Sequence, residues 1–72
     1  MDFPQEEITA SVNALINDAL RACRLLPRKD PTQARLLMAM SSLSFFLSQE
    51  SMAHIEMEME LIRSLILEIE GR

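Results

Sequence analysis

The 72-residue sequence has few of the residues on which catalysis and nucleotide binding depend. It contains one Gly, one His and one Cys, and it has neither Trp nor Tyr. A single Gly excludes a glycine-rich phosphate-binding loop, and a single Cys excludes the disulfide framework of small secreted proteins. The 11 acidic and 7 basic residues give a net charge of −4, which disfavours general binding to nucleic acid.

Residues that interrupt helices are also scarce. The three Pro residues and the one Gly lie at Pro4, in segment 27–31 and at Gly71. The long stretches between them are rich in Ala, Leu, Met, Glu and Arg, which favour helices. A hydrophobic content of 49% and a charged content of 25% are typical of a folded globular chain. We therefore predict a single all-α domain over residues 1–72.

Long hydrophobic runs are absent as well. The longest nearly apolar run covers residues 36–47 and contains three Ser residues, whereas a membrane span needs about 20 apolar residues. The sequence starts with acidic residues, where a secretory signal peptide would be basic. We expect a cytoplasmic protein with no membrane segment, no cofactor and no small-molecule substrate.

The first helix is predicted over residues 4–26. Pro4 suits a first helical turn, and Pro27 disfavours helical backbone at the residue before it. Apolar residues spaced four and three apart form one seam along this helix: Ile8, Val12, Leu15, Ala19, Ala22 and Leu26. This rhythm is typical of coiled-coil-like packing.

A tight connection at residues 27–30 precedes the second helix. Asp30 is a good N-cap, Pro31 fits the first helical position, and Gln33 stands where a capping box has Glu or Gln. Because short connections join antiparallel neighbours, we predict an antiparallel helical hairpin of residues 4–26 and 31–48.

The stretch from residue 31 to residue 70 contains two apolar seams that are out of heptad register. The first consists of Leu36, Met40, Leu43 and Leu47, and the second of Ile55, Met59, Ile62, Ile66 and Ile69. The step between them, from Leu47 to Ile55, is eight residues. Either one long helix carries a stutter, or the chain breaks near residues 48–51 and starts another helix over 51–70. Residues 55–61 also alternate as a strand would, but Met and Glu are poor strand formers.

Apolar side chains lie on more than one side of this stretch. Five of them are the predicted partner-binding residues: Met38, Phe45, Met52, Leu61 and Leu65. The first three recur every seven residues opposite Leu43, and the last two widen the seam around Ile62. Two apolar sides require two neighbours, either a third helix that folds back or a partner chain. The core of so short a chain supplies only about 3–5 kcal/mol, which favours a partner.

Candidate chemistry is confined to His54 and Cys23. Glu50 and Glu58 lie four residues on either side of His54, a spacing at which metal ligands converge on one helical face. A di-iron bundle, however, takes ligands from several helices. For Cys23 the one candidate base is His54, on another helix. We predict no catalytic and no metal-binding residues and no enzyme activity, with a metal-dependent activity kept as a third hypothesis.

The sequence Leu-Arg-Ala-Cys-Arg at residues 20–24 is followed by Asp-Pro-Thr-Gln at residues 30–33. Over residues 12–47 the chain thereby resembles the small E-component co-chaperones of the type III secretion needle subunit. Those are short helical hairpins with an Arg-bearing first helix and an Asp-Pro-x-Gln-like start to the second. This chain differs in having Ala34 where the family has Tyr, and in its longer second stretch.

The resemblance implies a heterodimer with a tetratricopeptide-like partner that keeps a needle subunit from polymerising in the cytoplasm. More generally, we expect a non-enzymatic interaction module, acting as an adaptor, a chaperone or an anti-activator through helix–helix contacts. The alternative is a self-associating helical dimer with a structural or regulatory role.

Overall fold

A computed structural model describes residues 3–71, and all the regular structure in this range is helical. The helices are α1 (Gln5–Cys23), α2 (Pro31–Ser48) and α3 (Met52–Glu70). The all-α prediction is confirmed for the described residues, and segment 55–61 is helical rather than extended. Residues 1, 2 and 72 of the predicted domain, which include part of the acidic start, lie outside the described range.

Helix α1 ends three residues earlier than predicted. The backbone N–H groups of residues 24–26 donate to carbonyls three residues back, at 3.0 to 3.2 Å, so this segment forms a tight turn. In a continuing α-helix the ring of Pro27 would clash with the carbonyl of Cys23, four residues before it. The clash moves the helix end from Leu26 to Cys23. Pro4 lies just outside the helix, as its N-cap residue.

The predicted start of α2 is confirmed. The Asp30 carboxylate accepts a hydrogen bond from the backbone N–H of Thr32 at 2.8 Å, and Pro31 is the first helical residue. The cap satisfies one of the N–H groups that a helix start leaves without an intrahelical partner.

The chain breaks between α2 and α3, so the alternative of one continuous helix over 31–70 is excluded. Glu50 has a φ of 54°, in the left-handed region. Its N–H donates to the carbonyl of Leu47 at 3.1 Å, and the N–H of Ser51 donates to that of Phe46 at 3.2 Å. These two bonds form a Schellman motif, with Glu50 at the position that Gly usually occupies. The fold therefore has three helices, which is the alternative with a break near residues 48–51 and a further helix after it.

The three helices share one core, in which α3 packs against both others and α1 contacts α2 least. Its buried apolar residues come from every predicted seam: Val12, Leu15, Ala19, Ala22, Leu36, Ala39, Met40, Leu43, Ile55, Met59, Ile62, Leu65, Ile66 and Ile69. Helix α3 thus takes the place that a partner chain would take on a two-helix hairpin. Among the helices of residues 3–71, none combines the length and the apolar character that crossing a bilayer requires.

Candidate protein-binding surface

The outer face of α2 carries no charge over most of its length. Residues 36–49 contain no Asp, Glu, Lys or Arg. The exposed side chains in this range are apolar, hydroxyl or amide groups: Leu37, Met38, Ser41, Ser44, Phe45, Ser48 and Gln49. A surface helix normally has charged and polar residues opposite its core stripe, so the outer face of α2 is unusual for a face in contact with water.

Met38 and Phe45 stay exposed although a third helix has folded back. Met38 is 71% exposed and Phe45 is 59% exposed. Leu43, two residues before Phe45, is fully buried, which shows that the core lies on the other side of α2. The third helix covers the seam of α2 but leaves its outer face uncovered.

A groove of about 290 Å³ runs between α2 and α3 next to Met38. Leu61, which is 48% exposed, forms part of its wall, whereas Leu65 is only 5% exposed and contributes from the core side. The structure therefore brings together three of the five predicted residues, Met38, Leu61 and Leu65. We call the surface formed by Met38, Phe45, Leu61 and the groove the apolar strip.

Aromatic contacts hold one end of the apolar strip. The ring of Phe46 stacks on the ring of His54, with centroids 4.5 Å apart. The ring of Phe45 meets Phe46 edge to face, with centroids 5.5 Å apart and an interplanar angle of 67°. Such an aromatic pair contributes about 0.5–1.5 kcal/mol beyond the burial of its surface area. The contact with Phe46 therefore helps to hold the exposed ring of Phe45 in place.

Met52 lies away from the apolar strip. It lines a different groove, between α1 and α3, together with Ile8 and Met59. The seven-residue spacing from Phe45 predicted one row, but the turn at Glu50 ends α2 before that row reaches Met52. The structure thus separates Met52 from the other predicted residues.

The groove also includes residues outside the predicted set. Arg35, Ala39 and Ser42 line it from α2, and Glu58 lines it from α3. They were missed because seam patterns select apolar residues, whereas grooves between helices also have polar flanks. A usable signal was present in the sequence, since Arg35 and Glu50 bound the uncharged segment 36–49.

The possible metal ligands do not converge. Glu50 lies in the turn, off the helical face that carries His54 and Glu58. His54 instead places its Nδ1 2.6 Å from the Oγ of Ser51. Within residues 3–71, no three His, Cys, Asp or Glu side chains are grouped closely enough to hold a metal ion.

Cys23 and His54 lie at opposite ends of the bundle. Ala22, next to Cys23, shares a groove with Glu70 at the end of α3, whereas His54 lies in the first turn of α3. Cys23 packs half-buried against the core, and this burial raises the pKa of its thiol. A raised pKa lowers the fraction of the thiol present as thiolate, which is the nucleophilic form. The arrangement does not support a Cys–His nucleophile.

No protein-family model, curated protein or solved structure matches this chain. The function must therefore be inferred from the surface itself, and the apolar strip is distinguished by its α2 part, which lies on a helical face without charge.

Proposed function

We propose that the protein is a small non-enzymatic interaction module that binds a helical protein partner through the apolar strip. The observation that supports this proposal is the uncharged outer face of α2, where Met38 is exposed at a groove and Phe45 is exposed seven residues further along the helix. Exposed apolar patches on small proteins often mark interaction sites, and Met38 and Leu61 form such a patch at the groove.

The energetics of the strip favour association. Burying a Phe, Met or Leu side chain contributes about 1.5–3 kcal/mol each, and the strip offers one of each in Phe45, Met38 and Leu61. Small Ser side chains at positions 41, 44 and 48 lie on the same outward side of α2. Side-chain size sets how closely two helices approach, so these positions allow a partner helix to pack closely. The binding mode is then that of an amphipathic helix in a groove.

The biological role we propose is that of an adaptor, a chaperone or an anti-activator. The resemblance to the type III secretion needle co-chaperones makes one version specific: a heterodimer with a tetratricopeptide-like partner in the cytoplasm. This version includes an antiparallel α1–α2 hairpin with coiled-coil-like packing, which the short connection between Cys23 and Pro31 favours. The alternative is a self-associating helical dimer with a structural or regulatory role.

Affinity purification from the native cell tests the proposal. The baits are the tagged wild-type chain, Phe45→Asp and the control Leu67→Asp. Leu67 is 69% exposed and lines a groove between α1 and α3, so its substitution adds the same charge away from the strip. We expect at least one protein, which can be the untagged chain itself, to bind wild type and Leu67→Asp but not Phe45→Asp. An identical set of bound proteins for all three baits would contradict the proposal.

A further inference from the structure

We propose that the occupant of the apolar strip is a second copy of this chain, packed through α2 in the antiparallel sense about a twofold axis. The inference rests on the proposed function and takes its self-associating alternative, because it names a second copy rather than a tetratricopeptide-like protein as the partner of the same surface. Three observations support it: the small Ser residues that separate the exposed Met38 and Phe45, the volume of the groove, and the distribution of charge along α2.

The placement of the two exposed residues suits a twofold axis. Met38 and Phe45 are each three and a half positions from the point between Ser41 and Ser42. At about 1.5 Å per residue, each lies roughly 5 Å along the helix from that point. An axis there sets Phe45 of each copy against Met38 of the other. Contacts repeated in this way are isologous, the type found in twofold dimers.

The groove has room for the phenyl ring of Phe45 from the other copy, which the twofold axis places near it. It lies next to Met38, has a volume of about 290 Å³, and is lined by the apolar side chains of Leu61 and Leu65. An apolar cavity of about 150 Å³ accommodates benzene, so a phenyl ring fits. The residues at the axis are the small Ser41 and Ser42, which allow the two α2 helices to approach. One dimer therefore contains the Phe45 contact twice.

Charge along α2 favours the antiparallel arrangement. Each copy carries a net charge of −4, but residues 36–49 bring no charge into the contact. Exposed Arg35 lies at one end of this uncharged segment, where it also lines the groove, and exposed Glu50 lies at the other end. The twofold axis sets position 35 against position 48 of the other copy, so Arg35 comes close to Glu50 of that copy. A parallel arrangement would bring like charges together at both ends.

One charge opposes the dimer. Glu58 lines the groove together with Ser42, which lies at the axis, so the two copies bring their Glu58 carboxylates towards each other. Replacing this carboxylate by an amide removes the repulsion and keeps the shape. Glu58→Gln should therefore tighten the dimer.

Sedimentation equilibrium of the full chain, over a range of concentrations, measures the association. We expect a reversible dimer of twice the 8.2 kDa chain mass. Phe45→Ala should weaken it at least ~100-fold, because two phenyl contacts are lost, and Phe45→Asp should weaken it further, because it also places two carboxylates in the contact. Leu67→Asp should leave the dissociation constant unchanged. Circular dichroism establishes whether each variant is folded. If Phe45→Asp is unfolded, Phe45→Ala tests the contact in its place.

A charge exchange tests the antiparallel geometry. Arg35→Glu and Glu50→Arg should each weaken the homodimer by about 3- to 10-fold, since each places two like-charge pairs at its ends. Mixing the two variants should restore near wild-type affinity, because both pairs in the mixed dimer are then of opposite charge. Glu58→Gln should tighten the wild-type dimer a few-fold.

Three results would overturn the inference: a chain that stays monomeric at millimolar concentration, a dimer that Phe45→Ala leaves intact, or a mixture that associates no better than its components. If the chain is monomeric and Phe45→Asp abolishes its binding to a different protein, the homodimer is refuted but the proposed function is not. If Phe45→Asp changes neither self-association nor the co-purified proteins, the proposed function fails as well.

Discussion

Helices α2 and α3 are similar in length, at 18 and 19 residues, and they pack against each other, yet their outer faces differ. Five charged residues are exposed on α3: Glu56, Glu60, Arg63, Glu68 and Glu70. The exposed residues of α2 after Arg35 carry no charge. Each helix buries its own seam, so the fold requires no difference between the outer faces. The difference points to a requirement beyond folding, and it lies on α2.

The largest expected effect comes from placing Asp at one position on the inner face of α2 and, in a second variant, at one position on its outer face. Leu43→Asp places a charge at a fully buried site, and the cost should exceed the ~3–5 kcal/mol that the core of so short a chain supplies. Circular dichroism should show loss of most helical signal, whereas Phe45→Asp should keep it. Equal helicity in the two variants would show that the two faces of α2 are not distinct.

The helix starts give the next largest difference. Asp30 caps α2 through the backbone N–H of Thr32, whereas the Ser51 side chain makes no capping bond to the backbone at the start of α3 and is paired with His54. Asp30→Ala should lower the stability by about 1 kcal/mol and the Tm by about 4–8 °C. Ser51→Ala should lower the Tm by less. Thermal unfolding followed by circular dichroism measures both, and an equal loss would show that Ser51 caps its helix as strongly as Asp30 does.

The turn that joins α2 to α3 offers a smaller, stabilising change. A side chain in the left-handed region costs about 1–2 kcal/mol, and Gly avoids this cost while losing about 0.5–1 kcal/mol through its greater freedom in the unfolded chain. Glu50→Gly should therefore stabilise the fold by about 0.5–1 kcal/mol. Urea unfolding on a Phe45→Asp background measures this without dimerisation. The control Glu50→Ala keeps the Cβ and should give no such gain.

The smallest expected effect concerns α1, which completes the core for both other helices. Burial raises the pKa of the Cys23 thiol above its ordinary value of 9.0. At a pH between the ordinary pKa of the thiol in the unfolded chain and its raised pKa in the folded chain, the folded chain binds more protons than the unfolded chain. The stability therefore falls as the pH rises through this window. Below the ordinary value the contribution is fully present. Urea unfolding across this window should show a steeper loss for wild type than for Cys23→Ala, and parallel curves would contradict the effect.

Much of the fold could be predicted from local sequence. The α1 seam, the Asp30 cap and the two seams of residues 31–70 all appear in the structure, because each depends on helical spacing or on neighbours a few residues away. The end of α1 was displaced by three residues because the clash of Pro27 reaches back to Cys23. The resemblance to the needle co-chaperones stays a prediction.

The candidate surface was predictable in part. The outward positions of Met38 and Phe45 follow from their spacing relative to Leu43 on one helix. The positions of Leu65 and Met52 do not follow from their spacing, since Leu65 is largely buried and Met52 lies in another groove. Both depend on where α3 packs after the turn, and a pattern along the chain does not contain that information.

The sequence by itself determined that the chain is helical, which residues form each seam, and that residues 36–49 carry no charge. These properties depend on residue type and on a period of about 3.6 residues. The tertiary structure decided that the chain breaks at Glu50, that α3 covers the seam of α2, and that the outer face of α2 is left open beside a groove. A non-Gly residue with positive φ costs free energy locally, so Glu50 adopts this conformation because the core formed by α2 and α3 offsets that cost. Only the packing of the three helices together decides that balance.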